Sequence, residues 1–318
     1  MTDAAARFTP WAWRALGYNI LVILWGAWVR ITGSGAGCGD HWPTCGGTII
    51  PRDPQIETII ELTHRLTSGL TLIFALMIFV WARKVFAPGH RVRIAAGLTL
   101  AFILAEAALG ALLVLKGLVD KDASASRAVV VALHLVNTYG LVGFGALTAW
   151  WSTPQREQPM VPDGASRRMV AALLGMVAVG MTGAVTALGD TLFPITPATG
   201  GGLFAHVVGD LSTTEHFLVR LRVVHPIVAV VVGLFVLGVG GNLYRESNDA
   251  LLRRLGGLMM LVTMLQIGLG MFNVLLAAPG WMQLIHLLVA DVLWVVVVLT
   301  TVQIWGLEPR PTLVVEAC

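Results

Sequence analysis

Eight times along this chain of 318 residues, a stretch of about 20 residues passes with almost no charged side chain. A helix rising about 1.5 Å per residue needs that length to cross the roughly 30 Å hydrocarbon core of a bilayer. The runs are continuous and do not alternate, so a transmembrane barrel is excluded as well as a soluble fold. Composition agrees: 56% of residues are hydrophobic and 12% charged, against about 25% charged in soluble domains. Disordered, collagen-like and disulfide-scaffold classes fall with the same figures, and the net charge of +3 carries no implication of nucleic-acid binding. The fold expected is an all-α integral membrane protein with spans near 11–32, 57–82, 94–117, 127–151, 169–189, 214–241, 255–277 and 281–306.

Eight spans place both termini on one side. Arg83, Lys84, Arg91, Arg93, Arg156, Arg167, Arg168, Arg245, Arg253 and Arg254 lie between spans 2 and 3, 4 and 5, and 6 and 7. With Arg7, Arg14 and Arg310 they make 13 of the 21 basic residues, so that face and both termini are expected in the cytoplasm of a multi-pass cell-membrane protein. The first segment lacks a small-residue cleavage site and reads as a retained span. On the opposite face, loops 33–56 and 190–213 are long and 118–126 and 278–280 short. Long loops in a compact protein commonly act as lids over a site.

The two halves repeat. His64 and His225 lie 161 residues apart in spans 2 and 6, Glu106 and Gln266 160 apart in spans 3 and 7, and His134 and His286 152 apart in spans 4 and 8. The pattern implies two four-helix bundles, 1–151 and 169–318, joined by a cytoplasmic linker, 152–168. An even number of spans per unit makes the copies parallel, with a pseudo-twofold axis along the membrane normal.

Each of spans 2, 4, 6 and 8 runs inward and carries one histidine two or three turns from its outer end. Polar side chains in a bilayer are costly and tend to mark function, and four at matched height weigh against packing alone. Paired imidazoles across a bundle can ligate a haem iron from both sides. Zinc or copper is a weaker option, since no carboxylate or cysteine stands beside His225 and His286. Two haem sites are therefore expected, His64 with His134 and His225 with His286.

Glu61 and His64 share a helix face one turn apart, whereas Arg222 stands at the matching offset before His225. A carboxylate beside an axial ligand can move a proton, and an arginine can pair with a haem propionate, so the first half reads as reactive and the second as the holder of a permanent cofactor. Glu61 also lies one turn from Arg65, an ion pair compatible with that role. Arg30, Arg65, Arg127 and Arg220 near outer helix ends are further propionate candidates, though each alone reads as a snorkelling anchor. Glu106 has no evident partner one turn away and reads either as a proton-path residue or as a neutral, hydrogen-bonded one. His41, His90, His206 and His216 fall in loops or at a helix entry.

Cys38 and Cys45 are seven residues apart in the first outer loop. An oxidising face favours a disulfide over a metal site, and the spacing is not that of a CxxC zinc pattern. Cys318, alone in the tail, is expected to stay reduced.

The run Val29-Arg30-Ile31-Thr32-Gly33-Ser34-Gly35, then Cys38 and Trp42-Pro43-Thr44-Cys45, then Glu61-Leu62-Thr63-His64-Arg65, with the single histidines of the later spans, resembles the haem A synthase family of cytochrome oxidase assembly proteins. The resemblance implies an oxidoreductase that converts a ring methyl of haem O to a formyl group, giving haem A for terminal oxidases. It implies that Glu61 is the essential glutamate, that His64 and His134 hold the substrate haem, and that His225 and His286 ligate a bound haem B. Cys38 and Cys45 match the loop cysteine pair of the bacterial members that have one. Family members commonly carry Pro-Asp-Trp-Pro after the first cysteine, whereas this chain has Gly39-Asp40-His41-Trp42-Pro43, with His41 inserted. The partners implied are haem O, the lipid bilayer, a haem O synthase and an electron acceptor. The main alternative is a dihaem electron-transfer cytochrome with no chemistry on the haem itself, and a repeat-built transporter ranks last because the histidines lie near one membrane face and not at the midplane.

Overall fold

The computed structural model describes residues 3–153, 164–194 and 209–307. Most of the expected linker with Arg156, the stretch of the second long loop containing His206, and the tail with Arg310 and Cys318 lie outside the described residues. Within them the regular secondary structure is helical, including one short 3-10 helix at Ser34–Ala36, with one isolated bridge between Cys45 and Thr48 in the loop after the first helix. The helices are α1 (Asp3–Ile31), α2 (Ile56–Val85), α3 (Arg91–Leu115), α4 (Ala125–Trp151), α5 (Ala165–Leu192), α6 (Phe217–Leu221), α7 (Val224–Glu246), α8 (Ala250–Leu275) and α9 (Gly280–Leu307).

Among the described residues, seven helical segments are long and apolar enough to cross a membrane: α2, α3, α4, α5, the α6–α7 segment, α8 and α9. The chain is thus a multi-pass membrane protein. The expected first span is a helix too, of 29 residues, but Arg14, Tyr18, Asn19 and its tryptophans dilute its apolar run and it is not one of the seven. Leu66, Leu174, Val231 and Leu261 are exposed on the outer faces of their helices, as expected where lipid is the solvent. Helix starts have local partners for their orphan N–H groups. Ser124 accepts from the Arg127 N–H at 3.1 Å and Asp249 from Leu252 at 2.7 Å. His90 and His216 do the same through Nδ1 for Val92 and Leu218, which gives two of the loop histidines a structural task.

The sixth expected span, 214–241, is interrupted: α6 ends at Leu221 and α7 begins at Val224. Pro226 supplies the reason. It has no N–H for the carbonyl of Arg222 four residues earlier, and its ring crowds that carbonyl. A proline in the first turn of α7 is tolerated because those N–H groups lack partners in any helix.

α1 packs on α2 and α4, α2 on α3, and α3 on α4; α5 packs on α7 and α9, α7 on α8, and α8 on α9. The two sets meet along α1, α4, α5 and α9, where Tyr139 and Trp294 stack with centroids 4.4 Å apart and the Trp294 indole N–H donates to the Tyr139 carbonyl at 2.8 Å. The α7–α8 crossing is closer still. A Cβ at Gly256 would lie 2.8 Å from the Gly240 carbonyl oxygen, so only glycines let these backbones meet, the small-residue contact that membrane helices use. Gly256→Ala is expected to force the helices apart at a cost of about 1–3 kcal/mol, lowering the melting temperature in detergent. Gly238→Ala on the same helix as Gly240, where a Cβ meets nothing within 4 Å, serves as the control; equal melting of the two variants would refute the close crossing.

Candidate functional site

One cavity of about 2400 Å³ runs between the helices and is lined by His64, His134, His225 and His286 together. That is more than twice the roughly 1,000 Å³ at the upper end of single-ligand pockets. Its walls are mainly aliphatic, and Glu61, Glu106, Asp190, Asp210, Gln266, Arg30, Arg65, Arg127 and Arg222 are charged or amide side chains beside the histidines. Trp42, Pro43 and Thr44 from the loop after α1, Leu118 and Val119 from that after α3, and Ala277 and Ala278 from that after α8 border it. The cavity therefore reaches the helix ends that carry the loops expected on the outer face.

Glu61 on α2 is 3% exposed, and a buried carboxylate needs partners on both oxygens. One oxygen accepts the Cys38 backbone N–H at 2.7 Å; the other takes Nε of Arg65 at 3.1 Å and a second guanidinium nitrogen. The remaining Arg65 nitrogen donates to the carbonyls of His41 and Thr44, both at 2.7 Å. Those two residues sit between Cys38 and Cys45, which are joined by a disulfide with Cα atoms 4.4 Å apart. The loop is held down elsewhere by Thr58, whose hydroxyl donates to the Gly37 carbonyl at 2.6 Å. Gly37 is indispensable there, because any Cβ would overlap the Glu57 backbone. The disulfide loop and the Glu61–Arg65 pair thus form one hydrogen-bonded unit over the end of α2.

The two halves show matched contacts. A Cβ on Gly26 of α1 would come within 2.9 Å of Cε1 of His64, and a Cβ on Gly183 of α5 would come equally close to Cε1 of His225. In both copies a glycine leaves room for the imidazole against a neighbouring helix. In both, too, the polar residue on the third helix reaches the histidine of the fourth: Glu106 Oε1 lies 3.1 Å from His134 Nε2, and Gln266 Nε2 lies 3.1 Å from His286 Nε2. Glu106 therefore has partners that lie on α4, out of sight of any rule based on its own helix, and Thr138 and Asn137 bond it as well. The contacts agree with the absence of a partner one turn away on its own helix and supply the hydrogen bonds that one of its two expected roles requires. Gly26 and Gly183 were missed; the 157-residue offset between them, close to those of the histidines, is the signal that finds them.

The arginines are already engaged within the protein. Arg222 pairs with Asp190 at 2.8 Å and donates to the Phe193 carbonyl at 2.7 Å, tying the α6–α7 break to the end of α5. Arg30 reaches Ala187, Thr191 and Gln283, and Arg127 holds the carbonyls of Asp120 and Asp122 at 2.8 and 2.7 Å. Arg220 is exposed. His41, also exposed, lies 3.1 Å from Asp40.

The donor set suits a haem iron, which takes imidazole nitrogen. Nδ1 of His64 and Nδ1 of His286 are buried with no hydrogen-bond partner among the described residues, and an orphaned buried polar atom calls for an explanation such as an absent ligand. The same description applies to Oδ2 of Asp291, a carboxyl 1% exposed on α9, which does not border the cavity. No group of three or more metal-ligating side chains is found among the described residues, so the histidines stand as pairs.

Arg65→Lys keeps a positive charge beside Glu61 but loses the planar fork that serves the carboxylate and two carbonyls together. Losing hydrogen bonds of this charge-assisted kind costs about 1.5–3 kcal/mol, so amide exchange across residues 34–48 is expected to quicken while α8 is unchanged. Unaltered protection of the loop would show that Arg65 does not hold it.

Comparison with known proteins gives the family. A protein of Thermus thermophilus named protoheme IX farnesyltransferase is 46% identical over 298 residues, 93% of this chain and 48% of that protein; its namesake in a second strain of the same species matches equally. The chain spans about half the length of these relatives. A heme A synthase of Bacillus mycoides is 39% identical over 112 residues, 35% of this chain and 36% of that protein. Residues 9–298 match the cytochrome oxidase assembly protein family COX15-CtaA, nearly the whole of the described structure, and the chain belongs to that family.

Proposed function

We propose that this chain acts as a haem A synthase, oxidising a ring methyl of haem O to a formyl group for use in terminal oxidases. The observation that carries the reading is the asymmetry of the two halves: matched histidine pairs border one cavity, and one turn before the leading histidine a buried carboxylate, Glu61, stands in the first half where Arg222 stands in the second. In this reading His64 and His134 orient haem O; the methyl and one water give the formyl with release of four protons, which Glu61 carries away, and four electrons, which pass in two-electron steps to an electron acceptor. The disulfide loop keeps bulk water from the site, and Arg65 holds the carboxylate in place. His225 and His286 would hold haem B, which supplies electron transfer when bound.

The name of the Thermus relatives describes proteins of which about half has no counterpart in this chain, while a relative named heme A synthase matches 35% of it. A diphosphate leaving group calls for carboxylates clustered on a divalent cation, whereas no group of three or more metal-ligating side chains is found among the described residues, and Glu61, Glu106 and Asp190 on the cavity wall are each held by partners within the protein. The farnesyltransferase name bears instead on a partner, a protein that makes haem O and delivers it to this cavity. An electron acceptor completes the proposed set. The arrangement read here is eight spans in two pseudo-twofold bundles, residues 1–151 and 169–318, with both termini cytoplasmic and the disulfide loop outside. The matched glycine–histidine and polar–histidine contacts in the two halves support it.

Expressed in cells that make haem O, the chain is expected to yield haem A on pigment extraction, and Glu61→Ala to abolish haem A while the purified protein keeps its haem. Haem A at undiminished level from the variant would remove Glu61 from the chemistry. Bound haem without haem A from the unaltered chain would favour the dihaem electron-transfer reading.

A further inference from the structure

His134 and His286 hold equivalent places in the two copies, yet the groups against their Nε2 atoms differ in kind. The Glu106 carboxylate, 3.1 Å from His134 Nε2, is braced by the Thr138 hydroxyl at 2.5 Å and by the Asn137 amide. Asn137 is steadied in turn by the Phe102 carbonyl at 2.9 Å. In the second copy the corresponding positions are Val289 and Ala290, which have no side-chain donor. Gln266 touches His286 Nε2 through its amide nitrogen, and its own Oε1 is buried without a hydrogen-bond partner among the described residues. One imidazole thus has a fixed anionic partner and the other a loosely held neutral one.

A hydrogen bond to a carboxylate is roughly twice as strong as one between neutral groups. When His134 lets go of an iron, its nitrogen finds Glu106 already in place, so the unligated state is stabilised. His286 has a weaker alternative. We propose that Glu106, acting as a positioning residue on His134, makes the first site one that exchanges its haem, while Gln266 leaves the second site one that retains it. The proposal rests on the haem reading above and deepens it: a substrate has to leave, and a resident cofactor has to stay.

The test uses the full-length chain in detergent, loaded at both sites with iron protoporphyrin IX and mixed with excess apomyoglobin, with transfer followed in the Soret band. Two phases are expected. Glu106→Gln slows the fast phase about tenfold, the size expected when a competing charge-assisted hydrogen bond becomes a neutral one, and keeps the low-spin spectrum of two-histidine ligation. Gln266→Glu quickens the slow phase by a similar factor, which keeps the proposal testable if the first variant folds poorly. A fast phase unchanged or quickened by Glu106→Gln overturns the proposal, the second result by showing that the carboxylate supports ligation. Haem held with phases that neither variant alters overturns this inference alone, whereas failure of the unaltered chain to hold haem at all overturns the haem reading with it.

Discussion

A peptide group in hydrocarbon has no water to bond, and an unpaired one costs several kcal/mol. That constraint makes the chain helical throughout its apolar runs and leaves side chains as the sole carriers of chemistry inside the membrane. It also demands that each polar side chain admitted to the interior be partnered. Glu61 shows the result. Its two oxygens take an N–H from the disulfide loop and the Arg65 guanidinium, and the spare capacity of Arg65 secures the loop that contributed the N–H. A single buried carboxylate therefore organises the cover of the site it sits in.

The second copy meets the same demand with different residues. Arg222, at the position of Glu61, pairs with Asp190 on the neighbouring α5, and Pro226 breaks the helix just where that arginine turns toward it. The two halves share the histidines, the glycines that face two of them, and the polar group that reaches the other two. What differs is charge: Glu61 stands one turn before His64 and Glu106 lies on His134, where Arg222 and Gln266 hold the corresponding places. In the proposed reading, that difference of charge is what would assign one site to a substrate and the other to a cofactor.

Apolar length and basic segments place the helices of this fold from sequence to within about five residues, apart from the start of α1, which begins at Asp3 and not at 11, and the break in the sixth span, because hydrophobic thickness acts on every residue in turn and needs no knowledge of neighbours. The Glu61–Arg65 pair was legible for a related reason, since both lie on one helix at a spacing of four. The partners of Glu106 were not, because His134, Asn137 and Thr138 lie on another helix and no local spacing predicts which faces meet. The α6–α7 break had a local signal in Pro226, which the continuity of the apolar run obscured.

The residues themselves determined that four histidines recur at similar spacings in the two halves, and that Glu61 lies one turn before His64 where Arg222 lies one turn before His225. These are consequences of helical periodicity and of spacing, and both are properties of a linear chain. Packing decided that the four share one cavity, that Arg222 is spent on Asp190, and that a glycine on α1 and another on α5 make room for a histidine each. Such contacts join residues on different helices, tens of positions apart in the chain. They depend on how helices rotate against one another, which close packing of side chains settles and the order of residues along one helix does not.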